Sequence, residues 1–272
     1  MEEARNIRYG EYNRQLDALF IQWMEALSGE QRKLFCKDGL LVKAGKPLDF
    51  VDEKWKNAPR RVAFLLKDKN TPDGDDIRLW LTDKKHGENS RQLSGGQVGR
   101  TDFLPNIARM LYGLLVTKRN DRLGFDKVQS TKMNEVKEMW NNEPFALIET
   151  KKLAGYSSVS KSEMQKAIDK DKDFLTRELN ILKPNIIICC DADDSQFNFV
   201  TQTYLAGKDA KKIEYSYPNA NIRPCCLWYY PTEKVIVIKS YHPTRRGKAN
   251  WMIYERVISP FHELLKQYSI DY

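Results

Sequence analysis

The stretch VIVIKSYHPTRRGKANW, Val235 to Trp251, decides how the chain is read. Four β-branched residues in a row mark a buried strand. The strand ends at His242, one of only three histidines in 272 residues, is locked by Pro243, and runs into Thr244, Arg245 and Arg246 before a helix begins. A histidine set at the end of a core strand beside two arginines asks for other chemistry at the same height.

Three further runs have the same apolar character. Arg61 to Leu66, Phe145 to Thr150 and the segment NIIICCD beginning at Asn185 read as strands covered on both faces, since they show no polar alternation. Helical patterns separate them. Leu16, Leu19, Phe20, Trp23, Met24 and Leu27 form a 3.6-residue stripe, predicting a helix from Arg5 to Leu27 that docks on the core and carries no chemistry. Leu104, Ile107, Ala108, Leu111 and Leu115 mark another, capped by Thr101 or Asp102. Ser160 and Glu163 form a capping box opening a third, which Lys183-Pro184 ends. Trp251 to Tyr268 form one kinked helix or two short ones, because Pro260 interrupts. The polar segment from Asp83 to Gly99 reads as a long loop.

Alternating strands and helices predict an α/β fold: a three-layer α/β/α sandwich around a mainly parallel, four-stranded central sheet. Residues 1–57 read as a helical extension packed on the core and residues 58–272 as the α/β domain. In such sheets ligands bind outside the carboxyl ends of the strands. Those ends carry Lys67, Asp68, Lys69 and Asn70; Glu149, Thr150, Lys151 and Lys152; Asp191, Asp193 and Asp194; and His242 to Arg246.

The formal net charge of +8 suits a polyanionic partner. No apolar run approaches a membrane span and the first residues have no signal-peptide core, so a cytoplasmic protein with no membrane contact is expected. Five cysteines argue against a disulfide framework. Cys189-Cys190 and Cys225-Cys226 are vicinal, so each pair points to opposite faces and reads as core packing rather than metal ligation.

The order of these strand ends resembles the uracil-DNA glycosylase superfamily. FLLKDKN lines up with that family's first motif and places Asp68 on its catalytic aspartate. SYHPTRRG resembles its last motif, with His242, Pro243 and Thr244. GGQVGRTDFLPNIARML, FALIETKKLAG and LNILKPNIIICC resemble the intervening elements, over roughly residues 61–265. The resemblance implies a uracil-DNA glycosylase-like fold and a DNA-repair hydrolase that flips a nucleotide out of DNA and cleaves the bond between sugar and base. It implies that Asp68 stabilises the sugar cation and that His242 donates to the departing base. Asn70, Gln97, Phe103 and Glu149 would face the base. Lys67, Lys69, Lys151, Thr244, Arg245 and Arg246 would hold phosphates.

This sequence departs from the family at Leu66 and Lys69, where a glycine and a proline are usual. Gln97 replaces an aromatic, with Phe103 as substitute. Glu149 replaces an asparagine; an ionised carboxylate only accepts, so it would disfavour uracil and favour a base presenting N–H donors. The cysteine positions that hold an iron–sulfur cluster in some relatives are not matched, so no cofactor is expected. Two rival readings follow from the same residues. One is a nucleic-acid-binding relative without catalysis. The other is a metal-dependent nuclease built on Glu149-x-Lys151 with Asp126. His86 and His262 read as a loop residue and a helix-face residue.

Overall fold

The computed structural model describes residues 9–69, 73–82, 103–130, 132–155, 159–191, 194–217, 224–244 and 249–270. Its strands are β1 (Gly39–Leu40), β2 (Val62–Leu66), β3 (Ala146–Glu149), β4 (Ile186–Cys189), β5 (Lys211–Tyr215), β6 (Cys225–Tyr230) and β7 (Val235–Lys239). They form one sheet in the order β1-β3-β2-β4-β7-β6-β5. The strands β3, β2, β4 and β7 are parallel neighbours. β1 joins β3 antiparallel, and β6 and β5 continue antiparallel beyond β7.

The fold is therefore α/β, but the expected four-stranded sheet is corrected to a mixed one of seven strands among the described residues. The three extra strands lie at or toward the edges, and two of them, β1 and β5, lack the apolar run that marks the centre. β1 is only two residues long. β5 has the sequence KKIEY and buries only its isoleucine, the charged composition by which edge strands avoid pairing with other chains. β6 lies directly against β7 across the turn at Pro231 to Lys234, where the left-handed Lys234 (φ 54°) reverses the chain.

The helices are α1 (Glu11–Glu25), α2 (Gly29–Lys33), α3 (Phe50–Asn57), α4 (Phe103–Val116), α5 (Phe125–Ser130), α6 (Met133–Asn142), α7 (Lys161–Leu182), α8 (Ser195–Phe199) and α9 (Asn250–Gln267). The part of the first helix expected before Tyr9 lies outside the described residues, as do both proposed caps of α4. Ser160 accepts from the Glu163 backbone and completes the capping box of α7. Lys183 (φ 47°) then ends that helix in the left-handed conformation before Pro184. Pro260 lies inside α9, which runs through it as one helix. None of the described helices is long and apolar enough to cross a membrane.

Alternation along the central strands divides the core in two. Val62, Phe64, Leu66, Ile188 and Ile238 pack against α4, α5, α6 and α9. Ala63, Leu65, Ile187 and Val237 pack against α1, α3, α7 and α8. Cys189 belongs to the second set and Cys190 to the first, both fully buried and free, as their vicinal spacing on a strand requires.

The first 57 residues contribute more than a docked helix. Asp38, just before β1, is fully buried and pairs with the Lys152 ammonium (2.5 Å), which also meets Glu178 of α7 (2.8 Å). The α1 aromatics Phe20 and Trp23 lie 5.5 and 5.3 Å from that ammonium. Burial works against the Lys152 cation, but the two carboxylates outweigh it and hold its pKa above the ordinary value. Glu178 is held well above the usual carboxylate range, chiefly by burial and next by Asp38.

Removing one partner of such a cluster leaves a buried charge uncompensated. Lys152→Met is expected to lower unfolding stability by about 3–5 kcal/mol. Urea denaturation at pH 7 followed by circular dichroism checks this.

Candidate functional site

Because β3, β2, β4 and β7 run parallel, their carboxyl ends open on one edge. Leu65 pairs with Cys189, and Cys189 with Lys239. Asp68 and His242 each lie three residues further on. Both therefore follow strands that end at the same level of the sheet, β2 and β7 lying on either side of β4. The Lys67 charge acts on both, favouring the anion of Asp68 against burial and the neutral ring of His242.

The β2 end is tightly held. Leu66 O accepts from Thr150 N (2.9 Å) and from the buried Gln196 amide of α8, whose Nε2 also reaches Thr150 Oγ1 (2.9 Å). Gln196 N in turn donates to Asp191 Oδ2 (2.8 Å). Lys151 N bonds Lys67 O (2.8 Å), so pairing continues past both strands. Lys151 Nζ then bridges Asp68 Oδ2 (2.9 Å) and Leu153 O (2.8 Å). Gly155 closes over this pair; a Cβ there would collide with Asp68 Oδ2 and crowd Lys151 Nζ. Burial raises the Asp68 carboxyl, and the Lys151 ammonium opposes that shift in favour of the anion.

His242 stands at the far side of the same edge. Thr244 N (3.2 Å) and Thr244 Oγ1 (2.9 Å) both lie on its Nδ1. A backbone N–H can only donate, so Nδ1 is the acceptor and the ring proton of neutral His242 sits on Nε2. Burial, followed by the charge of Lys67, pushes its pKa down to about 4. The ring stacks on Phe103 at the start of α4 (5.8 Å, 28°). One turn on, Asn106 donates to Pro243 O (2.8 Å) and Asn250 Oδ1 (3.0 Å), fixing the turn that aims the imidazole.

Glu149 is 2% exposed. Its N–H donates to Asp38 Oδ2 (2.6 Å), and its Oε2 is buried without a hydrogen-bond partner. Burial first, then the neighbouring Asp38 and Asp68, push its carboxyl up to about 8. This burial, which the sequence does not show, favours the protonated carboxyl over the ionised, accept-only one expected for Glu149.

The expected phosphate contacts divide. Lys69 is 9% exposed and paired with Asp75 (2.6 Å), Lys151 is committed to Asp68, and Thr244 to His242. Lys67 is half-buried, and its charge acts on both candidate catalytic groups. Asn70, Gln97, His86, Asp193, Arg245 and Arg246 lie outside the described residues. His262 Nε2 lies 3.1 Å from Arg119 O on the α9 surface. A separate cleft of about 730 Å³, lined by Lys54, Arg60 and Lys118, opens at the opposite, amino-terminal edge and contains none of these residues.

Gln196, Asp38, Glu178 and Gly155 were not singled out by sequence reasoning. Glu178 had a signal: it falls between Leu175 and Leu182 on the apolar face of α7, where a carboxylate needs a partner. No protein-family model matches the chain, and no curated protein sequence matches it.

Two measurements follow. In ¹⁵N NMR, His242 is expected as the Nε2–H tautomer from pH 8 down to about 5, with protonation near 4; a midpoint above 6 contradicts its burial. For Glu149 the folded pKa of about 8 exceeds the ordinary 4.5, so the folded form keeps a proton that the unfolded chain has lost. Its stabilising contribution is full below about 4.5 and is lost as pH rises through 8. Glu149→Gln is expected to gain on the order of 4 kcal/mol relative to wild type between pH 5 and pH 9 in urea denaturation.

Proposed function

We propose that this chain is a DNA-base glycosylase-like protein with the layout of the uracil-DNA glycosylase superfamily. The observation that supports the reading is one carboxylate and one neutral, N–H-donating imidazole that follow two parallel strands, β2 and β7, at the same sheet edge. The four parallel strands at the centre and the helices on both faces support it.

A flipped nucleotide would lie between the two groups. As the C1′–N bond breaks, its electron pair goes to the base and positive charge develops on the sugar. Asp68 as the anion stabilises that charge and orients a water. The water adds its oxygen to C1′ and passes its proton to Asp68, which returns it to solvent as the released base anion takes one up. His242 Nε2–H donates to the base oxygen where negative charge gathers. Its low pKa keeps it a neutral donor over the physiological range, so no proton need be lost before it can act. Lys67, with Arg245 and Arg246 further along, would meet phosphates, and the +8 charge would supply sequence-blind affinity for DNA.

One observation favours a second reading, a nucleic-acid-binding relative without catalysis. Lys151 and Gly155 already crowd Asp68 Oδ2, the oxygen that would hold water. The metal-dependent nuclease gains no support. Glu149 is buried, Lys151 is bound to Asp68, and Asp126 lies at the start of α5. Among the described residues no three His, Cys, Asp or Glu side chains group as metal ligands.

The test is release of free base from a panel of oligonucleotides with modified bases, in EDTA, read as alkali-labile sites. Release is expected without metal, abolished in Asp68→Asn and reduced about 10²–10³-fold in His242→Leu. Salt-dependent binding with no release selects the second reading.

A further inference from the structure

The oxygen through which Asp68 would meet a sugar is already in contact with a second reactive group. Lys151 Nζ lies 2.9 Å from Asp68 Oδ2. Any reading that sets Asp68 beside the bond between sugar and base therefore sets a primary amine there too.

The chain is built to hold this contact. The segment after β3 is fastened on two sides. Lys151 N donates to Lys67 O (2.8 Å) and Gly155 N to Lys69 O (3.0 Å), so both ends follow the exit of β2. Between them Cys36 N donates to Lys152 O (2.8 Å) and Ala154 N to Leu34 O (2.7 Å), which ties the segment to the first part of the chain. Gly155 is required at its end, because a Cβ there would lie 2.4 Å from Asp68 Oδ2 and 2.9 Å from Lys151 Nζ. The neighbouring lysines are spent differently. Lys69 pairs with Asp75, and Lys152 is fully buried between Asp38 and Glu178. Lys151 keeps 24% of its side chain exposed, so the lysine bonded to Asp68 can still be reached from solvent.

We propose that Lys151 is a Schiff-base nucleophile that attacks the sugar aldehyde left once a base has gone, giving the protein a lyase activity on abasic DNA. The inference rests on the glycosylase-type reading of this edge, which is what puts the sugar beside Asp68. Loss of the base leaves C1′ as a hemiacetal that opens to an aldehyde, and a lysine amine forms an imine with a carbonyl. The Lys151 ammonium first passes one proton to the Asp68 carboxylate, whose burial favours the protonated form. The nitrogen lone pair then bonds C1′ as the carbonyl π pair moves to oxygen. That oxygen takes one proton from the nitrogen and the one held by Asp68. It leaves as water while a nitrogen pair closes the C=N bond. Asp68, again a carboxylate, removes a proton from C2′. The C3′–O bond breaks, its pair leaves with the phosphate, and a C2′=C3′ double bond forms. Water hydrolyses the imine and restores the amine, and Asp68 gives its proton to solvent.

The experiment uses the full chain and a duplex oligonucleotide with one preformed abasic site, so the result does not depend on which base is released. Sodium cyanoborohydride reduces an imine to a stable amine and leaves a covalent protein–DNA product on a denaturing gel. Wild type is expected to give that product, with the modified peptide mapped by mass spectrometry to Lys151, and to nick the strand without alkali. Lys151→Gln should lose the product. Asp68→Asn should lower it about 10²-fold through loss of the proton acceptor. A tetrahydrofuran site, which cannot open to an aldehyde, should give neither product nor nick.

No trapped product from wild type overturns the inference, and base release from the modified-base panel would then leave the glycosylase reading standing. A product mapped to other lysines overturns it too, even if Lys151→Gln fails to fold. Trapping at Lys151 with no base released from any substrate keeps the lyase and removes the glycosylase reading.

Discussion

A single buried ammonium, that of Lys152, ties the parts of this molecule together. It sits where the loop after β3 meets the N-terminal segment and α7, bonded to Asp38 and Glu178 and roofed by Phe20 and Trp23. An ion so deep costs several kcal/mol of solvation unless every partner is in place. The cluster can exist only when α1, β1, the β3 end and α7 have all assembled. Asp38 uses the same oxygen to hold the Glu149 N–H, so the charge cluster also fixes the last residue of β3.

From that anchor the carboxyl edge is built by short polar links. Gln196 clamps the ends of β2 and β3 from above, Lys151 spans from β3 to Asp68, and Asn106 grips the carbonyl of Pro243. Each link bonds a backbone carbonyl, and each also removes freedom from the segment that carries a candidate catalytic side chain. Asp68 and His242 are consequently held by different helices on opposite faces of the sheet, α8 through Gln196 and α4 through Asn106.

The centre of the fold was legible because β2, β3, β4 and β7 are covered on both faces, and continuous apolar runs such as VAFLL and VIVIK admit few alternatives. β5 was not legible, since its lysines and glutamate look like a loop until a neighbour is present to pair with. The alignment of Asp68 with His242 at one edge followed from strand order. What each group does there did not. Lys69 and Lys151 looked like free cations because sequence carries no information on partners 6 and 83 residues away. Glu149 looked like an anion because ionisation depends on burial, and burial at β3 depends on a segment 111 residues earlier. Thr244 looked like a phosphate ligand, yet sits two residues from the ring whose tautomer it sets.

Asp38 lies before the boundary at which the α/β domain was expected to begin. A chain trimmed at residue 57 would keep all four parallel strands and both candidate catalytic residues, yet would leave the Lys152 ammonium with Glu178 alone and the Glu149 amide with no acceptor. The opening segment therefore cannot be gained, lost or exchanged as a module. Any lineage that remodels it must remodel the floor beneath the strand ends in the same step.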